Sequence, residues 1–104
     1  MVKCNSDGSF CDSNQRIGGG GIIRDHLGRW VVGCYSGEAG DSAFRAEAVA
    51  MRDVLQLAWE KGFRRVICDV DCAELTSIIT DEAASQRHAE FLVLGSIRQL
   101  LARE

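Results

Sequence analysis

One stretch with helical hydrophobic spacing follows a series of strand-like segments, and this order restricts the folds open to the chain. Between Ala46 and Trp59, apolar residues recur every three or four positions and form one face, as in an amphipathic helix. Three strand-like segments precede this helix and one follows it. Because a strand that returns to the same sheet through a helix runs parallel to its neighbour, the order predicts a crossover connection.

The remaining elements are placed by apolar runs and turn residues. The turn Asp25–Gly28 separates two strand-like runs and predicts an antiparallel hairpin. The long helix is expected to be capped by Asp41 or Ser42 and to stop near Gly62. The other predicted segments are strands Val2–Phe10, Gly18–Arg24, Arg29–Ser36 and Phe63–Val70, polar segments Cys11–Arg16 and Asp81–Arg87, and helices of about Cys72–Thr80 and His88–Arg103.

The element order β-β-β-α-β-α-α predicts one α/β domain over residues 1–104. Its mixed sheet has an antiparallel meander of the first three strands, and the fourth strand lies parallel to the first. The helices are expected to pack on this sheet.

A carboxylate lies where the helical pattern asks for an apolar side chain. Glu47 precedes Met51 by one turn on the apolar face, and a buried charge is costly unless something pairs with it. Asp7 and Asp71 follow the first and fourth strand-like runs. If these strands are parallel neighbours, both aspartates lie at one edge of the sheet, with Asp69 exposed or supporting them on the same face.

We expect Glu47 to reach the two aspartates from a helix packed on their face of the sheet. Converging carboxylates suit a hard divalent cation. Three simpler roles remain open: a solvated Glu47 near the positive end of the helix, a turn role for Asp7, and an N-cap role for Asp71.

Charge and cysteine content exclude some classes of protein. The formal net charge of −3 argues against nucleic-acid binding through bulk positive charge. Five cysteines without a signal peptide argue against a secreted disulfide scaffold and favour buried thiols in an intracellular protein. No apolar run is long enough to cross a bilayer, so no membrane association is expected.

Four segments together resemble ribonuclease H domains, most closely the plant reverse-transcriptase-like group found in retroelements. The resemblance covers nearly the whole chain, and each motif alone is weak. The matching segments are Lys3–Ser9, Gly21–Trp30, Ala43–Ala48 and Val66–Asp71.

The resemblance implies an RNase H-like fold and hydrolysis of the RNA strand of RNA–DNA hybrids. Asp7, Glu47 and Asp71 match three of the family's four metal-binding carboxylates, so they are the candidate catalytic and metal-binding residues. The implied cofactor is Mg²⁺ or Mn²⁺. The candidate nucleic-acid contacts are Gly8, Ser9, Asn14 and Arg16.

The chain departs from the family pattern at its C-terminal side. In the family a fifth strand and a final helix follow, and that helix carries the fourth carboxylate. We therefore expect a domain truncated relative to the family, with weak or no activity by itself. The alternative is an inactive module that binds nucleic acid or protein, or a retroelement relic.

A missing fifth strand would leave the fourth strand as an open edge. Its apolar, β-branched sequence favours pairing with another chain. We therefore expect a homodimer through this edge or through the C-terminal helix.

The four consecutive glycines Gly18–Gly21 have no phosphate-loop ending and precede a strand, so they indicate a close backbone approach to a ligand or a bulge.

Overall fold

Four strands form one mixed sheet in the computed structural model, which describes residues 1–102. The spatial order is β3-β2-β1-β4. β1 pairs antiparallel with β2, β2 pairs antiparallel with β3, and β1 pairs parallel with β4. The predicted fold class is confirmed. The strands are β1 (Val2–Cys11), β2 (Arg16–Arg24), β3 (Trp30–Ala39) and β4 (Val66–Val70).

The long helix forms as its sequence predicts. It is α1 (Ala43–Glu60), and the Ser42 hydroxyl caps it by accepting a hydrogen bond of 3.1 Å from the backbone N–H of Arg45. Gly62 ends it in the left-handed conformation, with φ of 88°. The other helices are α2 (Ala73–Ile79), α3 (Glu82–Arg87) and α4 (Phe91–Ala102), and a 3-10 turn (Asp12–Asn14) links β1 to β2.

The polar segment Asp81–Arg87 was expected to be a loop between helices, and this was wrong, because most of it forms the short helix α3. The Asp81 carboxylate caps it by accepting from the backbone N–H of Ala84 at 3.1 Å. The Ser85 hydroxyl then donates to the carbonyl of Ile78 at 2.6 Å and holds the helix against α2. Its short length and polar sequence concealed it.

Two predicted starts were also too early. β4 begins at Val66 and not at Phe63, because the backbone N–H of Phe63 donates to the carbonyl of Ala58 and so completes the end of α1. α4 begins at Phe91, since the preceding His88 is extended with ψ of 149°. The predicted last residue of that helix, Arg103, lies outside the described residues.

The apolar core lies on one side of the sheet. Along β1 the residues alternate, so that Val2 and Cys4 are buried while Lys3 and Asp7 are exposed. The buried side packs against α1, which in turn packs against α4. The opposite side faces solvent over the described residues, and Tyr35 there is 90% exposed.

None of the helices within residues 1–102 combines the length and the apolar character needed to span a membrane.

Candidate active site

A single glycine allows the first strand and the long helix to touch. A Cβ atom on Gly8 would lie only 2.3 Å from the carbonyl carbon of Ala46 and 2.5 Å from the backbone nitrogen of Glu47. Atoms do not approach so closely without displacement, so no larger residue fits here while the helix stays in place. This contact brings the first turns of α1 onto β1 directly beside Asp7.

Glu47 lies among charges that oppose its ionisation. Its side chain is half-buried, and its carboxyl group accepts a hydrogen bond from the backbone N–H of Gly8. Burial raises the pKa of the Glu47 carboxyl, and the nearby carboxyl groups of Asp7 and Asp71 raise it further. The Asp7 carboxyl lies within hydrogen-bonding distance of it. Asp7 and Asp71 therefore both lie near enough to Glu47 to oppose its ionisation.

The simpler roles that the sequence left open do not describe these acids. Glu47 is only half exposed, and its nearest partners are Gly8 and Asp7. Asp7 lies inside β1 and not in a turn. The residue at the N-cap of α2 is Cys72, so Asp71 does not hold that position.

One part of the predicted geometry was wrong. Asp7 was expected on the face of the sheet that carries the helix, but Gly8 is the residue that faces α1 and Asp7 is exposed. Glu47 reaches Asp7 only because Gly8 has no side chain to hold the helix away from the strand. The sequence showed the alternation but not which of the two faces was covered.

An open cleft of about 600 Å³ lies beside these acids. Asp7, Asp69 and Asp71 line it together with Gly8 and Ser9. Three glycines of β2, Gly19–Gly21, also line it. Gly20 keeps that part of its wall free of a side chain, because Gly20 is the one of the three whose Cβ would not meet α1. Of the predicted nucleic-acid contacts, Gly8 and Ser9 therefore lie at the cleft, whereas Asn14 and Arg16 do not line it.

Close packing of α1 against β2 explains the run of glycines. A Cβ on Gly19 would lie 2.9 Å from the Cβ of Ala50, and one on Gly21 would lie 2.6 Å from the Cβ of Val54. Both partners belong to α1, so these glycines let the helix lie close to β2. The alternative of a bulge within the run was wrong, because the register is shifted only at Ile23 and Arg24.

Asp69 lies at the cleft but outside the group of three acids. It is exposed, as expected, and its Oδ2 lies 3.3 Å from Nζ of Lys3. The sequence did not predict this contact, because it depends on the register that places Asp69 beside Asn5 in the parallel pair.

The start of α1 is held by an ion-pair network that sequence reasoning missed. Nη1 of Arg45 lies 2.6 Å from Oε2 of Glu90, and Nη2 lies 3.7 Å from Oε2 of Glu38. Both groups of the closer pair are largely buried, with side chains 25% and 15% exposed. Arg45 thus ties the helix that carries Glu47 to β3 and to the start of α4. No local signal reveals it, because Glu90 is 45 residues away along the chain.

The donor set fits a hard divalent cation. Carboxylate oxygens are the ligands that Mg²⁺ and Mn²⁺ take, and Mg²⁺ needs only one or two of them beside its waters. Burial is the main cause of the raised pKa of Glu47, and the charges of Asp7 and Asp71 add to it; a bound cation would offset that added charge. Over residues 1–102, no three histidine, cysteine, aspartate or glutamate side chains are already arranged to chelate one ion. The metal-binding role of these acids remains a prediction.

Comparison with known proteins decides the family. A family model described as reverse transcriptase-like matches residues 5–104. The chain belongs to the reverse transcriptase-like family. It is also 30% identical over 92 residues to an Arabidopsis thaliana protein named "putative ribonuclease H protein". The match covers 88% of this chain but only 15% of that protein.

Solved structures share the fold of this reverse transcriptase-like domain. RNase H1 of Halobacterium salinarum matches with a TM-score of 0.83 at 17% identity, over 97% of this chain and 76% of that one. The N-terminal RNase H domain of a Mycobacterium tuberculosis protein matches with 0.84 at 13% identity, over 98% and 74%. An RNase H1 in complex with an RNA/DNA hybrid matches with 0.77 at 14% identity, over 99% and 78%. The fold is therefore RNase H-like, as the sequence resemblance implied.

Proposed function

We propose that this domain carries a metal-dependent nuclease site for the RNA strand of RNA–DNA hybrids, with Asp7, Glu47 and Asp71 as its catalytic carboxylates. The observation that carries the proposal is that Asp7 and Asp71 line an open cleft and both lie near enough to Glu47, across Gly8, to raise the pKa of its carboxyl. Family membership and the similarity to ribonuclease H proteins support it. Activity of this chain alone is expected to be weak or absent.

The residues have separate tasks in this proposal. Asp7 and Asp71, both exposed at the cleft, and the half-buried Glu47 would hold Mg²⁺ or Mn²⁺ through carboxylate oxygens. Such an ion, when bound, supplies a more acidic water and stabilises negative charge on phosphate oxygens. The backbone N–H of Gly8 orients the Glu47 carboxyl group. The Arg45–Glu90 pair fixes the helix from which Glu47 extends.

A cleavage assay tests the proposal. The chain is incubated with an RNA–DNA hybrid and Mg²⁺ or Mn²⁺, beside a version extended by the fifth strand and final helix of a relative. Asp7→Asn and Glu47→Gln should abolish the cleavage that either version shows, because the transition-state charge loses its counter-ion. Glu60→Gln is the matched control, since Glu60 is an exposed acid at the far end of the same helix.

Metal binding gives a second readout that does not require turnover. Titration with Mg²⁺ should move the NMR signals of Asp7, Glu47 and Asp71 at one weak site. Two tight sites, or signals that stay unmoved, would contradict the assignment. Robust cleavage that survives Asp7→Asn would contradict both the site and the chemistry.

The alternative function is that of an inactive module, which binds nucleic acid or protein, or a retroelement relic. If this alternative holds, both the chain and its extended version should bind the hybrid without cleaving it. An intracellular location and a homodimer through β4 or α4 also remain proposals. β4 is an edge strand among the described residues, and its Ile67 is 50% exposed.

A further inference from the structure

Two basic side chains lie directly opposite each other on the solvent-facing side of the sheet. Lys3 of β1 is paired with Arg24 of β2 in the antiparallel register, and both are exposed. Like charges in directly opposed positions destabilise a sheet. The pair is therefore not explained by the stability of the fold, and an anion between the two side chains would relieve their repulsion.

The surrounding acids compensate this charge only in part. Asp69 lies 3.3 Å from Lys3, but both side chains are 52% exposed, and such pairs contribute little in water. Within residues 1–102, the Arg24 side chain makes no hydrogen bond and no ion pair. Its chain neighbour Asp25 is already occupied, because its carboxylate accepts from the backbone N–H groups of Leu27 and Arg29 and from the Arg29 side chain.

The two cations lie at a depression of about 460 Å³ that adjoins the carboxylate cleft at Asn5. We call it the basic cavity. Lys3, Arg24 and His26 supply its basic groups, and Ile67, 50% exposed, supplies an apolar surface. Asp25 also lines it, but its carboxylate is engaged by Leu27 and Arg29. Its volume lies in the usual range of small-molecule sites, about 300–1,000 Å³. Neither Asp7, Glu47 nor Asp71 lines it.

We propose that the basic cavity binds a phosphate group, carried by a nucleotide or by a nucleic-acid strand. Arg24 and Lys3 donate to the phosphate oxygens, and a guanidinium group can do so with two parallel hydrogen bonds. Ile67 contacts the sugar or base attached to the phosphate. Lys3 is four residues from Asp7 along β1, or about 13 Å, so this site does not depend on the proposed nuclease function.

NMR titration in EDTA tests the proposal without involving divalent metal. Inorganic phosphate, AMP and a short RNA–DNA hybrid are each added to the chain, to Arg24→Gln and to Arg87→Gln. Arg87 is the matched control, because it is exposed on α3, outside the cavity, and its loss changes the net charge equally. The amide signals of Lys3, Arg24 and Ile67 should shift together and reach saturation.

Arg24→Gln should weaken this binding roughly tenfold or more, the loss typical of one hydrogen bond to a charged group, while Arg87→Gln leaves it unchanged. Without ligand, Arg24→Gln should keep or raise the melting temperature, since it removes a like-charge contact. Phosphate should raise the melting temperature of the unsubstituted chain more than that of Arg24→Gln.

The three ligands separate the two sources of phosphate. Saturation with phosphate and AMP assigns a mononucleotide site, whereas saturation with the hybrid alone assigns a contact to a nucleic-acid backbone. The proposal is overturned if none of the three ligands moves these signals. It is equally overturned if Arg24→Gln and Arg87→Gln weaken binding to the same extent, since that result indicates diffuse charge attraction.

Discussion

Substitution of Gly8 by alanine should both destabilise the fold and displace Glu47. The added Cβ would lie 2.3 Å from the carbonyl carbon of Ala46, 2.4 Å from its oxygen and 2.5 Å from the nitrogen of Glu47. All three are backbone atoms, so no side chain can rotate out of the way and the helix itself has to move. Overpacking of this kind costs about 1–3 kcal/mol, and we expect Gly8→Ala at the upper end, about 3 kcal/mol.

The matched control is Gly18→Ala, a glycine of the neighbouring strand. Its added Cβ would meet only the Ser9 hydroxyl at 3.5 Å and the Ser36 carbonyl at 3.7 Å, which are ordinary contacts. Because alanine restricts the unfolded chain more than glycine does, Gly18→Ala should leave stability unchanged or raise it by up to about 1 kcal/mol.

Urea unfolding followed by circular dichroism measures the difference. A loss of about 3 kcal/mol, divided by a slope of roughly 1.5 kcal/mol per molar urea, lowers the midpoint by about 2 M. The melting temperature should fall by roughly 12–24 °C. If Gly8→Ala unfolds at the same urea concentration as Gly18→Ala, the close contact between β1 and α1 is not a constraint, and the explanation for the position of Glu47 fails.

Three further predictions concern charge and assembly. Glu90→Gln should lower the free energy of unfolding by about 1–3 kcal/mol, because the largely buried Arg45 guanidinium loses its closer charged partner and keeps only the more distant Glu38. Glu82→Gln, which removes a 70% exposed group, should cost under about 0.5 kcal/mol in the same urea experiment, and equal losses would contradict the assignment. Hydrogen bonds from Arg29 hold the pKa of the Asp25 carboxyl below its ordinary value. Its contribution to stability is therefore present above that ordinary value and is lost as the pH falls through the lowered one, so Asp25→Asn should flatten the acid limb of a stability–pH curve. Sedimentation velocity should show a dimer fraction that grows with protein concentration, because β4 is an edge strand among the described residues and can pair with a second copy. A monomer at high concentration would show that the open edge is tolerated.

The sequence by itself determined the order of the elements except for α3, and it singled out the candidate acids. The helix Ala46–Trp59 and the strands around it could be predicted because hydrophobic periodicity depends only on residues that are close in sequence. The parallel pairing of β1 with β4 followed from the rule for crossover connections. Asp7, Glu47 and Asp71 were found because a charge in an apolar pattern and acids at the ends of strands are visible without a structure.

Only the tertiary structure decided which face of the sheet the helix covers and how Glu47 reaches the aspartates. That outcome depends on Gly8, whose importance comes from backbone atoms of a helix about 40 residues away along the chain, and no local pattern encodes such a distance. The same holds for Arg45 and Glu90, which are paired across 45 residues, and for Lys3 and Arg24, which are opposed only through the register of β1 and β2. Local periodicity fixes which side chains share a face, but long-range packing fixes what each face meets.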